Sequence, residues 1–444
     1  MAETVRTQGL TVVEVGQNRA PKATVLLSRT TRFEQFLMWA VIVLLPLQEY
    51  VPAVAGMSVL FLIYGVLAAY IIMNRQRALG ESWCHPVFIA AYIFIGVSAL
   101  LEYSSPLARY EQITRFVQMI GGALCVAVLC RDRPALTASL WGFITSALWI
   151  SAVLYSTSYG TLQEMQAESF AQATDVRSQA FGDNPVGLNI NSLAFMCAQG
   201  TIVAFALSVS TKLKHLRILF LGICGFCLVA SLLPMSRGTA IISFVSFAVI
   251  LYARGNKHGK TFIVVSLLGL VLYALVPDAV WSRMTFSTET REGKQEFRQK
   301  LYTMAFDHLP EYIVGGVGAG NYYNQWGAER GFGKSFEGRW MVYGVHNSLL
   351  QITIYWGVLG LLAFLLIIWC VYRSIPLQCG RDELSLALLG LLVALSLALL
   401  QGHGFHSKSY AVGIGMLVGA RQWIWPTGVV SAVEVKKGTL GDRI

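Results

Sequence analysis

The residues best suited to chemistry in this sequence are two arginines and a histidine, namely Arg237, Arg298 and His346. A guanidinium keeps its charge and donates hydrogen bonds in pairs, which suits a phosphate or a diphosphate. An imidazole titrates near neutral pH and can take a proton from a hydroxyl group. If the fold brings these residues together, they predict a site that binds a diphosphate and moves a proton.

Each of these residues also has a structural interpretation. Arg237 adjoins an apolar run, where an arginine can extend to lipid headgroups. Pro234 and Gly238 flank it and favour a break between helices, whose exposed amide groups can bind an anion. Arg298 alone would be ordinary surface charge, and His346 alone would more often be structural. The residues after it, Asn347 or Ser348, could cap a helix.

A long polar segment, 281–344, carries Arg298 and leads to His346. Within 291–309 the residues Phe297, Leu301, Met304, Ala305 and His308 recur at helical spacing. This spacing predicts an amphipathic helix that lies at the membrane interface.

Glycines and aromatic residues follow that helix. The run 315–321 is glycine-rich and predicts a tight turn, with a phosphate-binding loop as the alternative. Four aromatic residues of the segment could stack on sugars: Tyr322, Tyr323, Trp326 and Trp340.

The composition places these residues in a membrane protein. Of 444 residues, 55% are hydrophobic and 13% charged, and the mean hydropathy is +0.56; soluble domains average about 25% charged residues. Continuous apolar runs of roughly 17–25 residues suit membrane-crossing helices rather than strands. We predict an all-α polytopic protein with twelve spans, near 33–50, 53–73, 86–103, 113–130, 136–156, 192–210, 216–234, 238–253, 261–279, 346–372, 384–401 and 405–424.

Charge sets the orientation, because Lys and Arg accumulate in cytoplasmic connections. With the N-terminus inside, 21 of the 34 Lys and Arg residues lie on the inner side. The prediction is a cytoplasmic tail 1–32, spans one to nine in 33–280, a periplasmic loop 281–345, spans ten to twelve in 346–424 and a cytoplasmic tail 425–444. The net charge of +10 is largely this bias, so it indicates contact with membrane lipids rather than with nucleic acid.

The sequence contains no Walker motif, and it has no acidic cluster with metal-ligand spacing. His403 and His406 form only a weak metal pair, so we expect no metal and no cofactor. ATP is absent outside the membrane. A transferase acting there needs an activated donor, and a lipid-linked diphosphate sugar fits.

The chain resembles the bacterial O-antigen ligases, within a superfamily that also contains O-antigen polymerases and O-linked protein oligosaccharyltransferases. Three short motifs carry the resemblance: Ser236-Arg237-Gly238, Arg298 on a helix that leads into Gly318-Ala319-Gly320, and His346-Asn347. The resemblance extends to the twelve-span layout and to the long loop between spans nine and ten.

The resemblance implies a GT-C-like, metal-independent, inverting glycosyltransferase of the bacterial inner membrane. Its donor would be O-antigen on undecaprenyl diphosphate, and its acceptor the lipid A core oligosaccharide. Arg237 and Arg298 would hold the diphosphate, and His346 would activate the acceptor hydroxyl or assist the leaving group. Further candidates for substrate contact are Asn191, Asn347, Trp340 and Tyr343.

Two alternatives stay open at this point. An O-antigen polymerase would use a second lipid-linked glycan as acceptor. A transporter of lipid-linked glycans is expected to place charges inside its spans, whereas the charges here gather near the membrane surfaces.

Overall fold

The computed structural model describes residues 6–7, 10–11, 30–48, 59–74, 85–102, 106–165, 170–181, 190–255, 275–285, 297–336, 339–374, 382–401 and 408–424. Within them, the longer helices are α1 (Arg32–Leu44), α2 (Val59–Met73), α3 (Pro86–Leu100), α4 (Pro106–Leu129), α5 (Arg133–Leu154), α6 (Phe170–Phe181), α7 (Ile190–Ser210), α8 (Lys214–Leu232), α9 (Arg237–Arg254), α10 (Asp278–Thr285), α11 (Phe297–Asp307), α12 (Ser348–Ser374), α13 (Glu383–Gln401) and α14 (Lys408–Ile424).

Among the described residues, 6 helices are long and apolar enough to cross a membrane. They are Arg133–Glu164, Ile190–Ser210, Lys214–Leu232, Arg237–Arg254, Ser348–Arg373 and Glu383–Leu400. Shorter apolar helices lie at Leu62–Met73, Pro86–Leu100 and Phe116–Leu129. The chain is therefore a multi-pass, helical membrane protein. The total of twelve spans stays a prediction, since most of the ninth, 261–279, lies outside the described residues.

Two short antiparallel hairpins accompany the helices and leave the all-α fold class unchanged. The first joins β1 (Arg6–Thr7) to β2 (Leu10–Thr11), and the second joins β3 (Gly333–Phe336) to β4 (Arg339–Val342). The second hairpin lies in the long polar segment, where alternation over only four residues per strand is too short to distinguish from a loop in the sequence.

Local sequence explains where several helices begin. Thr31 and Glu34 form a capping box at the start of α1, with each side chain bonded to the other residue's backbone N–H. Asp132 caps α5, and His85 caps α3, in each case with a proline in the first turn.

Helix α7 forms the centre of the bundle and packs against α5, α8, α9 and α13. All of its residues from Met196 to Val209 are buried. Because the helix is buried on every side, its neighbours there are other helices rather than lipid.

The predicted tenth span is broken rather than continuous. Within α12, Trp356 has φ −133° and Gly357 has φ 62°, so neither residue is helical. The backbone groups released there bond to the glycine-rich turn and to a residue just ahead of it. The carbonyls of Ile354 and Tyr355 accept from the N–H groups of Val317 and Gly318 at 2.9 and 2.8 Å, and the N–H of Val358 donates to the Ile313 carbonyl at 2.8 Å. Such breaks are tolerated at membrane depth only when other protein groups satisfy the backbone.

Candidate functional site

Arg237 is the first residue of α9, which follows the break predicted from Pro234 and Gly238. Helix α8 ends at Leu232, and Met235 takes a left-handed conformation with φ 55°. A non-glycine residue rarely adopts this conformation without support from its surroundings. Arg237 therefore combines its own charge with the positive end of a helix, an arrangement that favours an anion.

His346 is also strained, with φ 57°, and is held on both sides. Before it, the N–H of buried Val345 donates to Oε1 of Gln351 at 2.6 Å. After it, Oδ1 of Asn347 accepts from the N–H groups of Leu349 and Leu350 at 3.0 and 3.1 Å. The capping role considered for Asn347 is confirmed, and the half-exposed His346 ring is presented from a fixed backbone.

The helix predicted around Arg298 is confirmed for Phe297–Asp307, and the preceding residues 286–296 lie outside the described part of the chain. Leu301 and Ala305 of its apolar stripe are fully buried. Tyr302 lies one turn after Arg298, and residues four apart share a helix face. Its hydroxyl donates to the carbonyl oxygen of His346 at 3.3 Å.

That hydrogen bond brings the helix of Arg298 and the residue His346 together. The side chain of Arg298 lies outside the described residues, so its distance from Arg237 and His346 stays a prediction. Sequence reasoning missed Tyr302, although its position four residues after Arg298 was a usable signal.

The glycine-rich run is the tight turn that the sequence favoured. Gly316 and Gly318 have φ of 76° and 82°. The N–H groups of Ala319 and Gly320, which a phosphate would use, already donate to the carboxylate of Glu102 at 2.9 and 3.2 Å. Glu102 gave no sequence signal, because a single glutamate after an apolar run resembles any interfacial residue.

Two of the aromatic residues expected to stack on sugars are internal instead. Tyr322 is fully buried and Trp326 is 8% exposed. Both pack with Phe332 in the small core of the long segment. This part of the prediction was wrong, because the segment needs its own apolar core. Tyr323 is 38% exposed, and its stacking on sugars stays a prediction.

Trp340 and Tyr343 lie at the end of the second hairpin. Trp340 belongs to β4, and its side chain lies outside the described residues. The N–H of Tyr343 donates to the carbonyl oxygen of Phe332. The carbonyl oxygen of Tyr343 accepts a hydrogen bond from the hydroxyl of Tyr322 at 2.7 Å. These bonds fix the backbone three residues before His346.

Asn191 is the second residue of α7, which begins at Ile190. Its Oδ1 accepts a hydrogen bond from the guanidinium of Arg177 on α6 at 2.7 Å. Arg177 was not singled out from the sequence. The pair attaches α6 to the central helix α7.

A polar cluster around Glu311 lies at the surface of the long segment. Glu311 accepts from Arg330, from the ring of His308 and from the indole of Trp326, with the Arg330 Nη2 at 2.9 Å. The hydrogen bond from Arg330 is the largest cause that lowers the pKa of Glu311 below its ordinary value of 4.5, and His308 and Trp326 act in the same direction. Arg330 also stacks over the Trp326 ring at 5.6 Å.

Within the described residues, no group of three or more His, Cys, Asp or Glu side chains could hold a metal ion. His403 and His406 lie outside the described residues.

Residues 219–365 match the family model described as O-antigen ligase. The matched stretch contains Arg237, Arg298 and His346, and it ends beyond the break in α12. Members of this family are glycan-transferring enzymes of lipopolysaccharide and glycan assembly. No curated protein matches the chain significantly.

Proposed function

We propose that this protein is an O-antigen ligase, which transfers O-antigen polysaccharide from undecaprenyl diphosphate to the lipid A core oligosaccharide at the periplasmic face of the inner membrane. One observation carries the proposal. Inside the stretch that matches the family, the helix of Arg298 is bonded through Tyr302 to His346. Two residues that are far apart in the sequence thus belong to one local structure.

The chemistry follows from the groups at hand. The acceptor hydroxyl oxygen attacks the anomeric carbon of the donor, and a new glycosidic C–O bond forms as the bond to the diphosphate breaks. The bonding electrons leave with undecaprenyl diphosphate, and attack from the opposite side inverts the anomeric configuration. His346 takes the hydroxyl proton.

Arg237 and Arg298 stabilise the negative charge that grows on the diphosphate, a task that a divalent cation performs in many other transferases. Arg237 is suited to it by its place at the start of α9, where the helix dipole adds positive potential. Because two arginines supply this charge, we propose a metal-independent reaction.

The strain at His346 supports a functional role. Holding a histidine in the left-handed conformation costs of order 1–3 kcal/mol, which the surrounding structure has to offset. Here the bond from Val345 to Gln351 and the Asn347 cap hold the residues on both sides of His346, and so maintain its conformation.

The test uses purified protein in detergent with undecaprenyl diphosphate-linked O-antigen and lipid A core. We expect Arg237→Ala, Arg298→Ala and His346→Ala to abolish product formation while the proteins still insert. Each has a matched control at an exposed position that stays within about threefold of wild type, since exposed polar changes are small: Arg373→Ala near the end of α12, Lys300→Ala on α11 and His215→Ala at the start of α8. Full ligation by the three site variants would refute the assignment.

A deletion separates the ligase from the polymerase. Loss of a ligase leaves polymer on the lipid carrier, whereas loss of a polymerase leaves single repeat units on the core. Transfer by the purified protein, with no membrane gradient present, would exclude a transporter.

A further inference from the structure

Glu102 is a buried carboxylate that the proposed reaction does not use. It follows α3 and is 1% exposed. A charged group is costly to bury unless hydrogen bonds compensate for the lost water. Its contacts should therefore show what it is for.

The contacts of Glu102 reach two other parts of the chain. Its Oε2 accepts from Ala319 N–H at 2.9 Å and from the indole Nε1 of Trp356 at 3.3 Å, and its Oε1 accepts from Gly320 N–H at 3.2 Å. Ala319 and Gly320 follow the glycine-rich turn, and Trp356 stands at the break in α12. Glu102 thus joins the end of α3, the turn and the broken helix.

The turn and the break fit each other closely. A Cβ added at Gly316 would lie 2.2 Å from the carbonyl oxygen of Tyr355, and one at Gly357 would lie 2.2 Å from that of Val314. Side chains at either position would separate the two backbones. The turn therefore packs closely into the break, and the hydrogen bonds of Glu102 hold it there.

This docked unit connects the elements that carry the proposed site. Before the turn, the hydroxyl of Tyr312 donates to the Ala305 carbonyl at 2.6 Å, which ties the turn to α11, the helix of Arg298. On the other side of this contact, the first part of α12 joins the break to His346, which lies just before the start of the helix. A shift of the turn relative to the break would therefore move Arg298 relative to His346.

We propose that Glu102 is a positioning residue for the transfer reaction, which acts by locking the glycine-rich turn into the break of α12. The proposal rests on the proposed function for the reaction itself. Glu102 touches no reacting atom. It sets the spacing of the arginine helix and the histidine, and a small misplacement of catalytic groups lowers the rate steeply.

The test compares Glu102→Ala and Glu102→Gln with Glu34→Gln in the full-length protein. Glu34 is a matched control, because it is also a 1% exposed carboxylate and pairs with Arg131 at 2.9 Å, far along the chain from the turn. The first measurement is hydrogen exchange of the amides in 317–320. The second is the kinetics of transfer, with kcat per folded molecule and KM for the lipid-linked donor.

For Glu102→Ala we expect amide exchange in 317–320 to become at least about tenfold faster and kcat to fall at least about tenfold. This is the effect of losing one or two charge-assisted hydrogen bonds. KM should change less, because positioning acts mainly on the transition state. Glu102→Gln keeps an acceptor oxygen and should fall between Ala and wild type. Glu34→Gln should leave both quantities as in wild type, even if it lowers thermal stability.

Faster exchange with unchanged kcat in the Glu102 variants would overturn the proposal, because Glu102 would then be only structural. A lower kcat with unchanged exchange would also overturn it. If wild-type protein transfers no glycan at all, the proposed function fails, and the exchange data still decide whether Glu102 holds the turn.

Discussion

The hydroxyl of Tyr302 donates a hydrogen bond to the main-chain carbonyl of His346, and so ties the helix of Arg298 to the start of α12. We expect Tyr302→Phe to lower kcat by about 2–12-fold, which corresponds to a neutral hydrogen bond worth about 0.5–1.5 kcal/mol. The aromatic ring and the fold are retained. Initial rates of glycan transfer at saturating donor would measure the effect.

Tyr252→Phe is the control for that change, because Tyr252 lies at the far end of α9 and is 85% exposed. It should transfer glycan at the wild-type rate. Equal rates for Tyr302→Phe and wild type would show that the contact does not hold the site.

Gly357→Ala should displace the glycine-rich turn from the break in α12. The left-handed conformation alone costs an L-residue about 1–2 kcal/mol, and the added Cβ would overlap the Val314 carbonyl. We expect a lower midpoint of thermal unfolding in detergent and faster exchange of the Val317 and Gly318 amides. Gly96→Ala is the control, since a Cβ there has nothing within 4 Å. Similar behaviour of the two variants would contradict the tight docking.

Acid should loosen the surface cluster of the long segment through Glu311. Its pKa is lowered in the folded state, first by Arg330 and then by His308 and Trp326. A group of this kind stabilises the fold above its unfolded pKa, and this stability is lost as pH falls through the folded pKa. The loss should therefore begin near 4.5, the ordinary value, and continue below it.

Protection factors of the amides in 308–332, measured between pH 7 and 3, would follow that loss. Glu311→Gln should remove the pH dependence, whereas Asp307→Asn, an exposed acid on the neighbouring helix, should retain it. A pH dependence that survives in Glu311→Gln would assign it to another group.

Arg177 and Asn191 should be energetically coupled across α6 and α7. Hydrogen bonds to charged groups are worth about 1.5–3 kcal/mol, so a double-mutant cycle of Arg177→Ala and Asn191→Ala should show an interaction energy near the lower end of that range. Thermal unfolding of the four proteins gives the cycle. Additive effects would mean that the bond contributes little to stability.

Much of the fold was present in the sequence, because its signals are local. Apolar runs predicted the membrane helices that the structure describes, and the spacing of Leu301 and Ala305 predicted α11. Pro234 and Gly238 predicted the break before Arg237, and Asn347 predicted its own cap. Each depends on residues within a few turns of one another.

Other features required contacts between distant residues. Glu102 meets Ala319 across a separation of 217 residues, and Tyr302 meets His346 across 44. The break at Trp356 and Gly357 lies within an apolar run that reads as one continuous span. Hydropathy records the environment of a helix but not the direction of its backbone hydrogen bonds.

The sequence by itself thus determined a multi-pass helical protein and the candidate residues Arg237, Arg298 and His346. Only the tertiary structure decided that the glycine-rich run is a docked turn already occupied by a carboxylate rather than an open phosphate loop. The physical reason is that a buried backbone N–H must find an acceptor. Which acceptor it finds depends on how the whole chain is folded.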